Sequence, residues 1–96
     1  MLERKYQANL IKKIEYMFPG CIVLKNDANY LQGFPDLLIL YKNHWAALET
    51  KKNEFAHRQP NQEYYLTLLD GMSYANFIFP ENESEVLSEI QSAFES

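Results

Sequence analysis

The chain has one cysteine, Cys21, in 96 residues. No internal disulfide can form, which fits a reducing, cytoplasmic setting. Cys21 lies in an apolar run, where a core position suits it better than a nucleophilic one. No stretch has the length and apolarity of a membrane span or the layout of a signal peptide. His44 and His57 have no Cys or His partner at zinc-ligand spacing, which argues against a zinc site. There is no glycine-rich phosphate loop, and there are no repeats, low-complexity tracts or linkers.

What is present suits one small domain over residues 1–96. Apolar residues make up 47% and charged residues 23%, ordinary globular usage. A chain this short forms one core with little stability to spare. The net charge of −4 argues at first against a polyanionic partner. Its distribution changes that. Residues 81–96 hold five Glu and no Lys or Arg, so residues 1–80 carry nine basic and eight acidic residues, a net of +1. The body can therefore still present a locally basic face. The acidic tail reads as a solvated helix.

Periodicity orders the elements. Leu2, Tyr6, Leu10, Ile14 and Met17 recur at helical spacing over residues 2–18, and Pro19-Gly20 ends that helix. Residues 21–25 suit a short strand, and the turn-rich residues 26–35 a loop. Asp36 to Lys42 and Trp45 to Lys51 read as strands joined at Asn43-His44. Pro60 suits the first position of a helix that runs to Asp70, with Gly71 as its stop. Residues 73–79 form a fourth strand, closed by Pro80. Asn82 and Glu85 have capping-box spacing for a last helix, with Val86, Leu87, Ile90 and Phe94 on one stripe. The expected order is α-β-β-β-α-β-α, a mixed α/β sheet protein.

Charge at the ends of the two apolar strands is the chemically informative feature. With Asn43-His44 as the loop, Leu38 pairs with Glu49 and Asp36 with Lys51. Asp36 and Glu49 are then diagonal neighbours on one face, with Cα atoms about 7–8 Å apart. Two such carboxylates repel, and burial worsens the conflict. A divalent cation removes it, and hard oxygen ligands suit Mg²⁺. The Thr50 carbonyl can complete the site. Lys51 can hold a water or stabilise charge on a phosphate. The plain alternative is an ion pair at a hairpin end. Glu3 falls inside the apolar stripe of the first helix with Gln7 beside it, while Glu15 falls well off it; the alternative for Glu3 is a solvated, frayed terminus. Gln62 begins an inward stripe with Tyr65, Leu66 and Leu69, where it can meet a phosphate or a metal-bound water. It can equally be a first-turn polar residue. Lys52, His57 and Arg58 follow the third strand and are candidates for phosphate contacts, or a solvated loop. The seven Tyr and six Phe can stack bases, but at this periodicity most belong in the core.

These residues resemble the PD-(D/E)xK nuclease motif, Pro35-Asp36 followed by Glu49-Thr50-Lys51. The chain is most similar to the stand-alone virus-type replication-repair nucleases (VRR-NUC), relatives of Holliday junction resolvases. The similarity runs over nearly the whole chain, through "GFPDLLIL", "AALETKK" and "RQPNQ". Gln59 departs from it, since a serine is more usual at that helix cap. The resemblance implies a restriction-endonuclease-like αβββαβ core, here with an extra C-terminal helix. It implies Asp36 and Glu49 as metal ligands, Lys51 as the catalytic lysine, Glu3 as the helical acid and Gln62 as the glutamine of the following helix. It implies Mg²⁺, with Mn²⁺ able to substitute, as cofactor. The implied activity is phosphodiester hydrolysis of DNA, selective for branched or four-way-junction structures, by a homodimer. The competing class is a non-catalytic module that keeps the fold and binds nucleic acid or protein.

Overall fold

A computed structural model describes residues 3–96. The elements are α1 (Glu3–Met17), β1 (Ile22–Lys25), β2 (Leu37–Tyr41), β3 (His44–Thr50), α2 (Pro60–Asp70), β4 (Tyr74–Ile78) and α3 (Glu83–Glu95). The order expected from periodicity is the order observed. Leu2, placed on the first helix's apolar stripe, lies outside the described residues. The strands form one mixed sheet in the order β1-β2-β3-β4. β1 and β2 are antiparallel, β2 and β3 are antiparallel, and β3 and β4 are parallel across α2. The Cα radius of gyration is 12.4 Å, against about 12.5 Å for a compact chain of this length.

Strand alternation sorts the apolar residues onto two faces. On one, Leu37, Ile39, Ala46, Leu48 and Ile78 pack against Tyr6, Leu10, Ile14 and Phe18 of α1 and its exit, and against Val86, Leu87, Ile90 and Phe94 of α3. On the other, α2 lays Leu66 over Ala47, Ala75, Phe77 and Phe79. α2 packs on β3 and β4. Beside it, the same face of β1 and β2 is left open: Ile22, Leu24 and Leu40 are exposed, although Ile22 pairs with Leu40 and Leu24 with Leu38.

The β2–β3 turn differs from the expected one. The loop is Lys42-Asn43 rather than Asn43-His44, and Lys42 takes a φ of 56°. Positive φ in a two-residue loop matches the right-handed twist of the strands it joins. His44 is drawn into β3 because it pairs with Tyr41 and both rings stack on Phe94, at 5.7 Å each. Leu38 therefore faces Ala47, not Glu49, a slip of two residues. An even slip leaves every side chain on its expected face. Continued past Leu37–Leu48, the register sets Asp36 opposite Glu49 rather than opposite Lys51. Asp36 itself sits just before β2, not within it.

Two helix ends also differ. Gly71 follows α2, but its φ of −71° is right-handed, so it is not the left-handed stop expected there. The Met72 and Ser73 N–H groups instead close the last turn on the Leu69 carbonyl. Asn82 precedes α3 without capping it through its side chain. Its amide accepts from the Phe79 N–H and donates to the Phe77 carbonyl, securing the exit of β4.

Candidate functional site

β3 runs between two strands and under helices on both faces, so its interior residues Ala46, Ala47 and Leu48 are fully buried. The same burial extends to its polar end: Glu49 is 7% exposed, Thr50 0% and Lys51 8%. Charged groups at that depth need specific partners. Alternation sends Thr50 toward α1 and sends Glu49 and Lys51 toward α2.

Thr50 holds Asp36 by both carboxylate oxygens. Its N–H donates to Asp36 Oδ1 at 3.1 Å and its hydroxyl to Oδ2 at 2.6 Å. Gln7 of α1 donates from Nε2 to Thr50 Oγ1 at 3.3 Å. The single hydroxyl proton of Thr50 is thereby left to point at Asp36. In an antiparallel ladder a residue's N–H and C=O point to the same neighbour, so the Thr50 carbonyl also faces the Asp36 side of β3.

Gln62 joins the other two members of the cluster. Its Nε2 donates to Glu49 Oε2 at 3.2 Å, and its Oε1 accepts from Lys51 Nζ at 2.9 Å and from the Gln59 N–H at 3.0 Å. Only this orientation of the amide places an acceptor opposite two donors. Gln59 is the N-cap of α2 and Pro60 its first residue, so the helix start sets the reach of Gln62. Lys51 Nζ also donates to the His57 carbonyl at 2.9 Å, while its backbone N–H joins β3 to Ile78 of β4. Both acceptors of the ammonium are neutral oxygens. Its charge is free to act on the acids nearby.

The two acids titrate far from their ordinary range. Burial, then the charge of Asp36, pushes Glu49 up to about 8. Burial pushes Asp36 up to about 6, against the pull of the two Thr50 hydrogen bonds. Lys51 draws both down, and Glu3 pushes both up. The dry site thus disfavours ionisation of both acids at once, a conflict that a divalent cation relieves.

The candidate residues do not all meet. Asp36, Glu49, Thr50, Lys51 and Gln62 converge. Glu3 does not join the buried stripe of α1, which begins at Tyr6; it is exposed. It reaches the acids only through its charge. Lys52, His57 and Arg58 are exposed. Arg58 lays its guanidinium over the Phe77 ring at 4.2 Å, and His57 contributes its carbonyl to Lys51. Among the described residues no group of three or more His, Cys, Asp or Glu side chains is placed to hold a metal ion. Hard oxygens are nevertheless available in Asp36, Glu49 and the Thr50 carbonyl. That set suits Mg²⁺, which binds through one or two carboxylates and keeps several waters.

The roles of Gln7 and of the Thr50 hydroxyl were not read from the sequence. Gln7 had a signal, since it falls beside the apolar stripe of α1. Thr50 had none, because its hydroxyl acts only through contacts that join α1, the end of β3 and the residue before β2. No family model, curated protein or solved structure matches the chain.

Proposed function

We propose that the chain is a metal-dependent nuclease with a restriction-endonuclease-like αβββαβ core, extended by α3. The observation that carries this reading is the joint burial of Glu49 and Lys51 beside Asp36, with Gln62 bridging the first two. A structural ion pair would bring acid and base into direct contact. Here the base is held off the acids by an amide, and the two acids are left in mutual repulsion. Such an arrangement costs stability unless a cation and a phosphate complete it.

Asp36, Glu49 and the Thr50 carbonyl would hold Mg²⁺ or Mn²⁺, which when bound polarises a phosphate and lowers the pKa of a water. The chain's own residues do the rest. Thr50 orients Asp36. Gln62 and the His57 carbonyl aim the Lys51 ammonium, which stabilises charge developing on the phosphate and orders the attacking water. Glu3 contributes negative potential from the rim. Exposed Lys52 and His57 would contact phosphates, with Arg58 available from its seat on Phe77. The substrate is DNA, and branched DNA in particular suits a homodimer, since two symmetric cuts resolve a four-way junction. The open, uncharged β1–β2 face, with Ile22, Leu24 and Leu40, supports pairing of two copies.

Incubation of purified protein with four-way-junction and linear DNA, in Mg²⁺ or in EDTA, tests this directly. Mg²⁺-dependent cutting is expected, with the junction preferred. A non-catalytic nucleic-acid or protein-binding module is favoured by one observation, the protonation of Glu49 up to about pH 8 without metal. Absence of Mg²⁺-dependent cutting on every substrate would select that reading. Sedimentation at micromolar concentration reads the mass of the assembly.

A further inference from the structure

Two aromatic side chains stand almost fully in water on the two loops that enter and leave the site. Tyr30 is 89% exposed and Phe55 86%. Tyr30 belongs to the loop that delivers Asp36, and Phe55 to the loop between Lys51 and α2. Both are presented by ordered turns of the same construction. Asp27 accepts the Asn29 N–H on Oδ1 at 2.8 Å and the Tyr30 N–H on its carbonyl at 3.1 Å. Asn53 accepts the Phe55 N–H on Oδ1 at 2.9 Å and the Ala56 N–H on its carbonyl at 3.3 Å. Asp and Asn favour such turns because the side chain mimics a turn carbonyl.

Each loop is also tied down at its base beside the cluster. Asn26 donates its N–H to the Asp36 carbonyl at 2.9 Å and its side-chain amide to the Pro35 carbonyl at 2.6 Å. Lys51 Nζ ties the second loop at His57. Farther along the first loop, Gln32 accepts from the Asn61 amide, and Phe34 meets the Tyr65 ring at 5.4 Å. The rings are therefore carried on short tethers anchored at the site, one on either side of it in the chain.

We infer that Tyr30 and Phe55 form a stacking surface for unpaired bases, so that the site takes nucleic acid with a single-stranded segment or branch point in preference to continuous duplex. This rests on the nucleic-acid part of the function proposed above. An aromatic ring stacks on any base, but duplex bases already stack on one another and offer no free face. Exposed Lys52 and Arg58 share the second loop with Phe55 and balance Glu54 there and Asp27 in the first, and His57 beside them offers a ring N–H to a phosphate. Exposure alone is ordinary for single residues. Tyr16 makes the comparison: it is 87% exposed on α1, nine residues beyond Gln7, about 13 Å farther along the helix from the site. It has lysines beside it, Lys12 and Lys13, but no tether to the cluster.

The test is binding in EDTA at low salt, by fluorescence anisotropy, to a labelled single strand, a four-way junction and a blunt duplex. Tyr30→Ala and Phe55→Ala are each expected to weaken single-strand and junction binding by roughly tenfold. Tyr16→Ala should leave all three unchanged, and Phe55→Trp should retain the wild-type preference. A 2-aminopurine base in the single strand should be quenched by the wild type and less by the two alanine variants. The inference is overturned if wild type binds no nucleic acid. It is also overturned if both alanine variants match wild type, if they lose blunt-duplex binding to the same degree, or if sedimentation shows a dimer that either alanine variant dissociates. Ring-dependent binding without Mg²⁺-dependent cutting would sink the nuclease reading and leave this one standing. Cutting by a protein indifferent to both rings would do the reverse.

Discussion

The two faces of the sheet are built to different rules. The α1–α3 face is closed: Leu10, Ile14, Leu37, Ile39, Leu48, Val86, Ile78 and Ile90 are buried almost without exposure and without a charge among them. The α2 face is unfinished. One half carries Glu49, Lys51 and Gln62, and the other leaves Ile22, Leu24 and Leu40 to water. One-residue alternation at the end of β3 separates the two. Thr50 joins the closed side through Gln7, while its neighbours serve the open one. Stability and chemistry are thus divided between faces, and Asp36 is the residue held by one and used by the other.

Substitutions at the open face's polar end should have the largest effect on cutting. Asp36→Asn, Glu49→Gln and Lys51→Ala are each expected to lower turnover by about 1000-fold or more. Circular dichroism should stay unchanged. A variant that still cuts at the wild-type rate breaks the division. On the closed face the effect should reverse. Ile14→Ala or Ile90→Ala should cost about 2–5 kcal/mol in urea unfolding. Ile22→Thr on the open face should cost the monomer almost nothing.

The acids should also make the metal-free protein unusual in its pH response. Both have folded values above their ordinary ones, Asp36 at about 6 and Glu49 at about 8. For a raised carboxyl the stabilising proton is in place at low pH and is lost as pH rises through the folded value. Melting temperature without metal should therefore fall from pH 5 to pH 8, most steeply below pH 6 where both acids contribute, and level off above pH 8. The loss should be on the order of 5 kcal/mol in total. Mg²⁺ should restore stability at pH 9, and Glu49→Gln should remove the upper part of the slope. A flat profile in EDTA would show that burial does not hold the two acids above their ordinary values.

Smaller effects sharpen the boundary between the faces. Thr50→Val removes the hydroxyl between Gln7 and Asp36 and should cost about 1–3 kcal/mol. It should also raise the Mg²⁺ concentration needed for half-maximal cutting, whereas Thr50→Ser should keep wild-type metal dependence. Equal metal dependence in the two variants would reduce Thr50 to a packing residue. The smallest effect belongs to Glu3. Exposed at the helix start, it acts through charge alone, so Glu3→Gln should change turnover by a few-fold and lose even that at high salt. Glu15→Gln is the matched control.

Much of this was legible in residue order. The α1 stripe at Tyr6, Leu10 and Ile14 and the α3 stripe at Val86, Leu87, Ile90 and Phe94 follow from spacing, because a helix that buries one face must repeat it. Pro60 marked the start of α2, because its ring suits a first turn and no later one. The convergence of Asp36 with Glu49 survived an error in the hairpin, since a slip of two residues keeps side chains on the same face. What local signals decide is therefore which residues face which way.

Where those residues end up is a different matter. Lys42-Asn43 became the turn because Phe94, more than fifty positions away, stacks on both Tyr41 and His44. Glu3 lies outside the stripe to which its spacing assigns it, since the buried residues of α1 are Tyr6, Leu10 and Ile14. Gln62 bridges Lys51 and Glu49, and Gln7 turns Thr50 toward Asp36, through contacts between elements that no periodicity encodes. The sequence by itself determined the elements, their order and the face each side chain takes, because these follow from backbone periods and local sterics. Only the tertiary structure decided the register, the burial of the charges and the partners of each polar atom, because those depend on which distant groups arrive within hydrogen-bonding reach.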